Sequence, residues 1–522
     1  YFLVTKKMLR NFDDPKSTKV RALVVALGIT DNSELRPALE LAKGLDSQKG
    51  VTVEIATHNR FRTQVKDLGL SFEDVGLDPI EARKRTKSGK DLESNKHDPS
   101  SVGIALKSFM DTLINDWCKI GLNLLVNGPG GPDIVILSSQ ASIYCYLPIC
   151  EEHFIQTCIL STSPCIPTMS FPPPKAFRGV NAMIRESTCT GQWAIYYQSL
   201  WRFLYKDSVD SACMELFKGV PQTSPFGPIE ILSQGSANSN PLILHAYSDI
   251  LLPKPNDWSN MGNNSQNHII GQISGILGPL PEKDFHSTCL SSNLLDFFAM
   301  DPESLTILID LGPSFLQWQD DASRSQLLKQ CVKSVTSIGM RAILVAPASF
   351  TIPTDDDDDN DGSSYIIIPA IPLGSEHVLC RKCGAIIFTG DINLAHYSLR
   401  SGTPLITLTL SGLNGINNEH TAENEFWGNI LSLRNLSPKP MEASSITISL
   451  LSKLLKEVLN IQSSSSSTSN SSSSDSSIYC KNAKYISGLM SEAGCDNGAK
   501  AIKLIMDIAT PIASIRSAGA KF

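Results

Sequence analysis

Apolar residues follow two rhythms along this chain, and the rhythms alternate. Arg21-Ala-Leu-Val-Val-Ala-Leu27 is a nearly unbroken apolar run, the pattern of a strand buried on both faces of a parallel sheet. Gly28 to Ser33 is rich in turn formers. Leu35, Ala38, Leu39, Ala42 and Leu45 then recur at helical spacing, with Pro37 near the first turn where proline is tolerated. Val51 to Ala56 is the next strand, which completes a βαβ unit with a right-handed connection. Phe61 to Leu68 reads as a helix, and residues 78–100, polar with clustered Lys and Arg, read as an exposed loop. Leu106, Phe109, Met110, Leu113, Trp117 and Ile120 predict a long amphipathic helix. Asp133 to Leu137 is a further buried strand, Ser138 to Tyr146 starts a helix, and Thr157 to Leu160 is a short strand. Phe171-Pro-Pro-Pro174 cannot be helix interior. Helical pieces within residues 180–240 carry Trp193, Tyr196, Tyr197, Trp201 and Phe203, a set that either packs a core or walls an apolar ligand.

The pattern restarts after residues 251–263, whose Pro, Asn and Gly content is that of a linker. Ser304 to Leu311 reads as a strand and Gly312-Pro313-Ser314 as a turn. Leu327, Leu328, Cys331, Val335 and Ile338 form a helix face, and Arg341 to Val345 a strand. The stretch from Gly384 to Leu410 is the clearest: strand 385–388, a Thr389-Gly390-Asp391 turn, a helix from Leu394 to Arg400 and a strand from Leu405. Asp391 or Asn393 is placed to cap that helix, and Gly402 and Pro404 to end it. A strand feeding a helix N-terminus leaves backbone N–H groups where an anion can sit. Two runs of strand–helix alternation predict an α/β chain of two facing Rossmann-like domains with parallel sheets, whose ligands bind in the cleft beyond the strands' carboxyl ends. The expected division is a lead-in at 1–19, a first domain at 20–255, a second at 256–462, a disordered Ser-rich insert at 463–477 and closing helices at 478–522.

Composition narrows the function. The 522 residues, 42% hydrophobic and 19% charged, fit two or three globular domains. A net charge of −7 argues against nucleic acid as a partner. No apolar run approaches the roughly 20 residues that span a bilayer, and no secretory-signal pattern is present. Thirteen cysteines without framework spacing predict reduced thiols and a cytoplasmic location. Cys380 and Cys383 form a single CxxC without a second pair, and Asp355 to Asp359 read as a solvated insertion, so no metal site is expected. His377 lies near the 384–410 stretch and His396 within it; His396 could in principle reach the cleft, but a solvent or helix face is the expectation for it. Neither a Walker phosphate loop nor a GxGxxG fingerprint occurs.

Several segments, in order, resemble the sterol 3-beta-glucosyltransferases of the UDP-glycosyltransferase superfamily, which have the GT-B fold. Gly28 to Pro37 with Ala38-Leu39 and Leu41-Ala42-Lys43-Gly44-Leu45 is similar to that family's Gly-Asp-Val-Gln-Pro loop and Ala-Leu-Gly-Lys-Gly-Leu helix. Ala56-Thr57-His58-Asn59-Arg60-Phe61 looks like its Ala-Thr-His-x-x-Phe. Leu252-Pro253-Lys254-Pro255 with Asp257-Trp258 looks like its Val-Pro-Lys-Pro-x-Asp-Trp. Cys383 to Pro404 lies along the donor motif, Phe426-Trp427-Gly428 matches Phe-Trp-Gly, and Gly488 to Ile502 resembles the closing helices.

The resemblance implies transfer of glucose from UDP-glucose, the donor substrate, to a sterol or other lipophilic hydroxyl, with inversion, without metal or cofactor, and with peripheral membrane contact at most. It implies Glu34, or Asp31 in the longer loop, as the base. It implies Gly312, Ser314, Gly390, Asn393 and Leu394 around the diphosphate, and Glu423 and Asn424 at the sugar hydroxyls. The departures are chemical. Where the family has His-His-Gly-Gly-Ala-Gly-Thr, this chain has Phe388-Thr389-Gly390-Asp391-Ile392-Asn393-Leu394, so Phe388 replaces a hydrogen-bonding His and Asp391 a Gly. Pro313 replaces a residue with an N–H to give. The alternatives are a catalytically degenerate GT-B protein that binds a lipid or a protein partner, and an unrelated two-domain α/β enzyme.

Overall fold

A computed structural model describes residues 19–27, 32–95, 98, 100–127, 131–174, 188–217, 227, 230, 241–259, 266–270, 290–315, 321–347, 364–371, 374–410, 418–461, 476–492 and 497–517. Its frame is two parallel sheets. The first has seven strands in the order β3-β2-β1-β4-β5-β6-β7. They are β1 (Val20–Ala26), β2 (Val51–Thr57), β3 (Ser71–Asp74), β4 (Ile134–Leu137), β5 (Thr157–Ser161), β6 (Leu242–His245) and β7 (Gln266–Ile269). The second has six in the order β10-β9-β8-β11-β12-β13. They are β8 (Thr306–Asp310), β9 (Arg341–Val345), β10 (Tyr365–Ile368), β11 (Ala385–Phe388), β12 (Leu405–Thr409) and β13 (Met441–Glu442). Each order reverses once, between β1 and β4 and between β8 and β11, and crevices for ligands open at such reversals. The two Rossmann-like domains expected from the alternation are present.

Continuous apolar runs make the central strands because both sheet faces are covered. Val24 and Val25 of β1, Ile136 and Leu137 of β4, and Ile386 and Ile387 of β11 are all fully buried. The helices that place the site are α1 (Asn32–Asp46), α2 (Val102–Leu122), α3 (Gln140–Glu152), α4 (Cys189–Leu200), α5 (Gly312–Phe315), α6 (Glu376–Lys382), α7 (Ile392–Arg400), α8 (Asn418–Leu433), α9 (Ile478–Glu492) and α10 (Asn497–Ser517). The two closing helices part company. α9 packs on α7 in the second domain, and α10 returns to α1 and β1 in the first. Ala501, Ile505, Ala509 and Ala513 of α10 share a core with Leu35, Ala38 and Leu39 of α1, and Arg516 bonds Asp133 at 2.8 Å.

Two expectations need correction. Residues 79–85 and 87–95 are helices rather than an exposed loop. Asp78 caps the first by accepting the Ile80 N–H at 2.8 Å, with Pro79 in the first turn. Only a narrow face, including Ala82 and Leu92, is buried, so the composition remained polar. The first sheet also runs past residue 255: β7 pairs with β6 in register Leu242↔Gln266, so the linker-like stretch leads into one more strand of the first domain. The lead-in at 1–18, the acid run Asp355–Asp359 and residues 463–475 of the Ser-rich insert lie outside the described residues. None of the described helices is long and apolar enough to cross a membrane.

Candidate active site

The first crevice opens where β1 and β4 end. The N–H of Leu27 donates to Ser139 Oγ at 3.2 Å and Ser142 Oγ at 3.1 Å, which ties the end of β1 to the start of α3. A cavity lies over these strand ends. Glu34 lines it from the first turn of α1, with Ser139 and Gln140 after β4, Ser161 and Ser163 after β5, and the Tyr196 side of α4. Glu34 is buried. The aromatic residues of the 193–197 stretch also line this cavity, and each is anchored: Trp193 Nε1 donates to the Phe171 carbonyl at 2.9 Å, and Tyr197 Oη to the Cys165 carbonyl at 2.6 Å. Tyr196 Oη pairs with the Gln140 amide at 2.9 Å. The rings of Trp193, Tyr196 and Tyr197 therefore belong to the core and at the same time line this cavity. Phe203 stands apart, half exposed on the surface. Asp31, the other candidate base, lies outside the described residues.

The second crevice opens where β8 and β11 end, and acids already occupy its backbone donors. Asp391 caps α7, accepting the N–H of Asn393 at 2.7 Å and of Leu394 at 3.0 Å. Those are two of the backbone donors expected to face a diphosphate. Asp310, at the end of β8, accepts the Gly312 N–H at 2.9 Å. Burial raises the Asp310 carboxyl to about 6, against the pull of that bond. Gly312 has φ +65°, and Gly390 φ +102°. A Cβ on Gly390 would lie 2.3 Å from the Asn424 carbonyl, so this glycine serves close packing of the turn against α8. Phe388 is fully buried in the core and offers the crevice no donor. Thr389 Oγ1 donates to the Leu311 carbonyl at 3.3 Å and joins the two loops. Ser314 is in the backbone of α5, and its side chain lies outside the described residues.

The two crevices face each other across a closed seam. Thr162, just past β5, donates to Glu423 Oε1 of α8 at 3.2 Å. The Ser248 N–H donates to His396 Nε2 of α7 at 3.2 Å. Tyr247 meets Trp427 with ring centroids 5.3 Å apart, and Phe171 meets Phe426 at 6.0 Å. Asp257 holds the loop that supplies Phe171, accepting from Thr168 Oγ1 at 2.8 Å and the Met169 N–H at 2.7 Å. His396 therefore lies in the seam, fully buried, not on a solvent or outer helix face. Burial lowers its pKa to about 3, so the ring is neutral and, with Nε2 accepting, carries its proton on Nδ1. His58 is buried against Trp117 in the first domain. Glu423 comes to the seam, bonded to Thr162, and the backbone of the neighbouring Asn424 packs against Gly390. Thr162, Gln140 and Asp310 carry no sequence signal of their own; what marks them is their place just beyond a strand end.

No family model and no curated protein matches the chain. Solved structures match its fold. The glycotransferase of kitacinnamycin aligns at TM-score 0.55 and 12% identity, over 95% of this chain and all of that chain at 100%. CalG4, the calicheamicin glycosyltransferase, aligns at 0.53 and 11%, over 94% and 98%. The glycosyltransferase VinC, solved in complex with DTDP, aligns at 0.51 and 15%, over 95% and 100%. The chain has the GT-B fold that its sequence resemblance implies.

Proposed function

We propose that this protein transfers a hexose from a nucleotide diphosphate sugar to the hydroxyl of a lipophilic, ring-bearing alcohol. The observation that carries the reading is the carboxylate of Glu34, the one acid among the described residues in the wall of an aromatic-lined cavity at the chain reversal of the first sheet. In this reading the acceptor lies against the Tyr196 face of α4 and Glu34 takes its hydroxyl proton. The hydroxyl oxygen bonds to the sugar's anomeric carbon from the side opposite the diphosphate. The bond from that carbon to the diphosphate oxygen breaks, and the nucleoside diphosphate leaves with the electron pair. Glu423 and Asn424 hold the sugar hydroxyls, and the turns at Gly312, Gly390 and Ser314 with Asn393 and Leu394 border the diphosphate. UDP-glucose and a sterol are the pair we favour, from the ordered sequence resemblance. A lipophilic acceptor also fits a cytoplasmic protein that meets membranes peripherally.

A second reading has its own support. Asp310 and Asp391 satisfy the backbone donors of the second crevice. An anion entering there meets two carboxylates, and like charges about 4 Å apart repel by roughly 1 kcal/mol in water and about 4 kcal/mol at an effective dielectric of 20. A GT-B protein that keeps the acceptor cavity but has lost donor binding fits that geometry. Calorimetric titration with UDP-glucose, run beside radiolabelled transfer to a sterol, separates the two. Saturable donor binding with label in the acceptor supports transfer; no binding at millimolar donor sinks it.

A further inference from the structure

Arg36 stands on α1 two residues past Glu34, yet its partners are in the other domain. Its Nη1 pairs with Glu376 Oε1 at the start of α6. Its guanidinium lies 4.8 Å from the centroid of the Tyr397 ring, on α7. The pair is largely dry, with side chains 17% exposed for Arg36 and 3% for Glu376. The other Glu376 oxygen accepts the Gly374 N–H at 2.9 Å, which fixes the acid from its own side. Burial opposes the charge on Arg36, but Tyr397, Glu376 and Glu40 outweigh it and hold the guanidinium above its ordinary value. A buried ion is stable only while its partner stays in place. Separating α1 from α6 would return both ions to water; in the arrangement seen, each needs the other.

We propose that Arg36 is a positioning residue, the latch that sets α1, and with it Glu34, against α6 and α7 when the cleft closes. Its role in transfer rests on the function proposed above; its role in closure does not. Three features separate it from the other seam contacts. Among the described residues it makes an ion pair across the seam, it joins the carboxylate-bearing helix to the helix of the donor crevice, and its Nε and Nη2 find no hydrogen-bond acceptor there. The last point leaves the guanidinium dependent on Glu376 and Tyr397 to compensate its burial.

The test uses the full chain with Arg36→Ala, Arg36→Lys and Glu376→Gln. Amide exchange is followed over residues 32–46 and 376–400, and the radius of gyration is measured by small-angle X-ray scattering. Arg36→Ala is expected to speed exchange in both segments about tenfold and to enlarge the radius, and Arg36→Lys to restore most of the protection. Glu376→Gln, which leaves Arg36 in place, is expected to open the molecule in the same way, so a folding defect in one variant does not decide the matter. In the transfer assay Arg36→Ala is expected to lower kcat about tenfold with acceptor KM within about twofold. Unchanged exchange and radius in both Arg36→Ala and Glu376→Gln overturn the latch. Opening with unchanged kcat overturns the positioning role. Opening in the variants together with no transfer by the wild type leaves the latch standing and removes the transferase reading.

Discussion

Two helices in this molecule begin with a carboxylate at the mouth of a crevice, and the two acids do opposite things. On α1 the acid is Glu34, in the first turn and in the wall of a cavity. On α7 it is Asp391, one residue before the helix, turned back onto the N–H groups of Asn393 and Leu394. The difference is one of reach. An acid at the cap position has a short side chain directly beside the free N–H groups and satisfies them. Glu34, two residues into its helix, has the longer glutamate side chain, carried on the helix flank into the cavity wall. The same favourable helix dipole acts on both. Glu34 lines a cavity, whereas Asp391 is taken up by the two N–H groups of its own helix.

The comparison breaks first at Glu34. Glu34→Gln keeps the size and removes the basicity, and transfer is expected to fall roughly 10²- to 10⁴-fold with the fold intact. Single-turnover transfer of labelled sugar, beside a circular dichroism spectrum, checks it; equal rates would place the base elsewhere. Next in size is Gly390→Ala. A Cβ 2.3 Å from the Asn424 carbonyl at φ +102° has no room, and a loss of about 3 kcal/mol in urea unfolding is expected. A loss under about 0.5 kcal/mol would mean that α8 does not sit against this turn.

Asp391→Ala removes a cap and is expected to cost about 1 kcal/mol. It also frees two N–H groups and removes a negative charge, so donor affinity is expected to rise while stability falls. The smallest effect concerns Asp310. Its carboxyl is raised from 3.8 to about 6 by burial, so the unfolded chain gives up its proton first, and stability falls as pH rises between those values. Asp310→Asn does not titrate. It is expected to gain about 1 kcal/mol over wild type at pH 7, a figure reduced for the water at the crevice edge. The gain shrinks below about 6 and vanishes below 3.8. Melting temperatures at pH 4 and pH 7 show it or fail to.

Much of the frame is legible in the sequence, for a physical reason. The runs at 21–27, 133–137 and 385–388 are apolar because parallel strands are covered on both faces. Asp391 declares its cap by residue type and position. What stays hidden depends on neighbours far along the chain. The helices at 79–95 bury so narrow a face that their composition reads as loop. β7 is Gln-Asn-His-Ile, with no apolar run at all, and becomes a strand because β6 offers an unpaired edge. His396 gives no hint that Ser248 lies 3.2 Å away across the seam. Arg36 looks like one more helix-surface charge until α6 and α7 are set beside it.

The contrast between the two acids comes down to what the donor meets at α7, and calorimetry of UDP-glucose against wild type and Asp391→Ala measures that directly. The expected result is saturable binding to wild type that tightens about tenfold in the variant, because two backbone donors are released and a like charge is gone. Weaker binding in Asp391→Ala would show that this carboxylate engages the donor, contrary to the self-capped crevice described above. Binding by neither protein at millimolar donor would contradict the transferase itself.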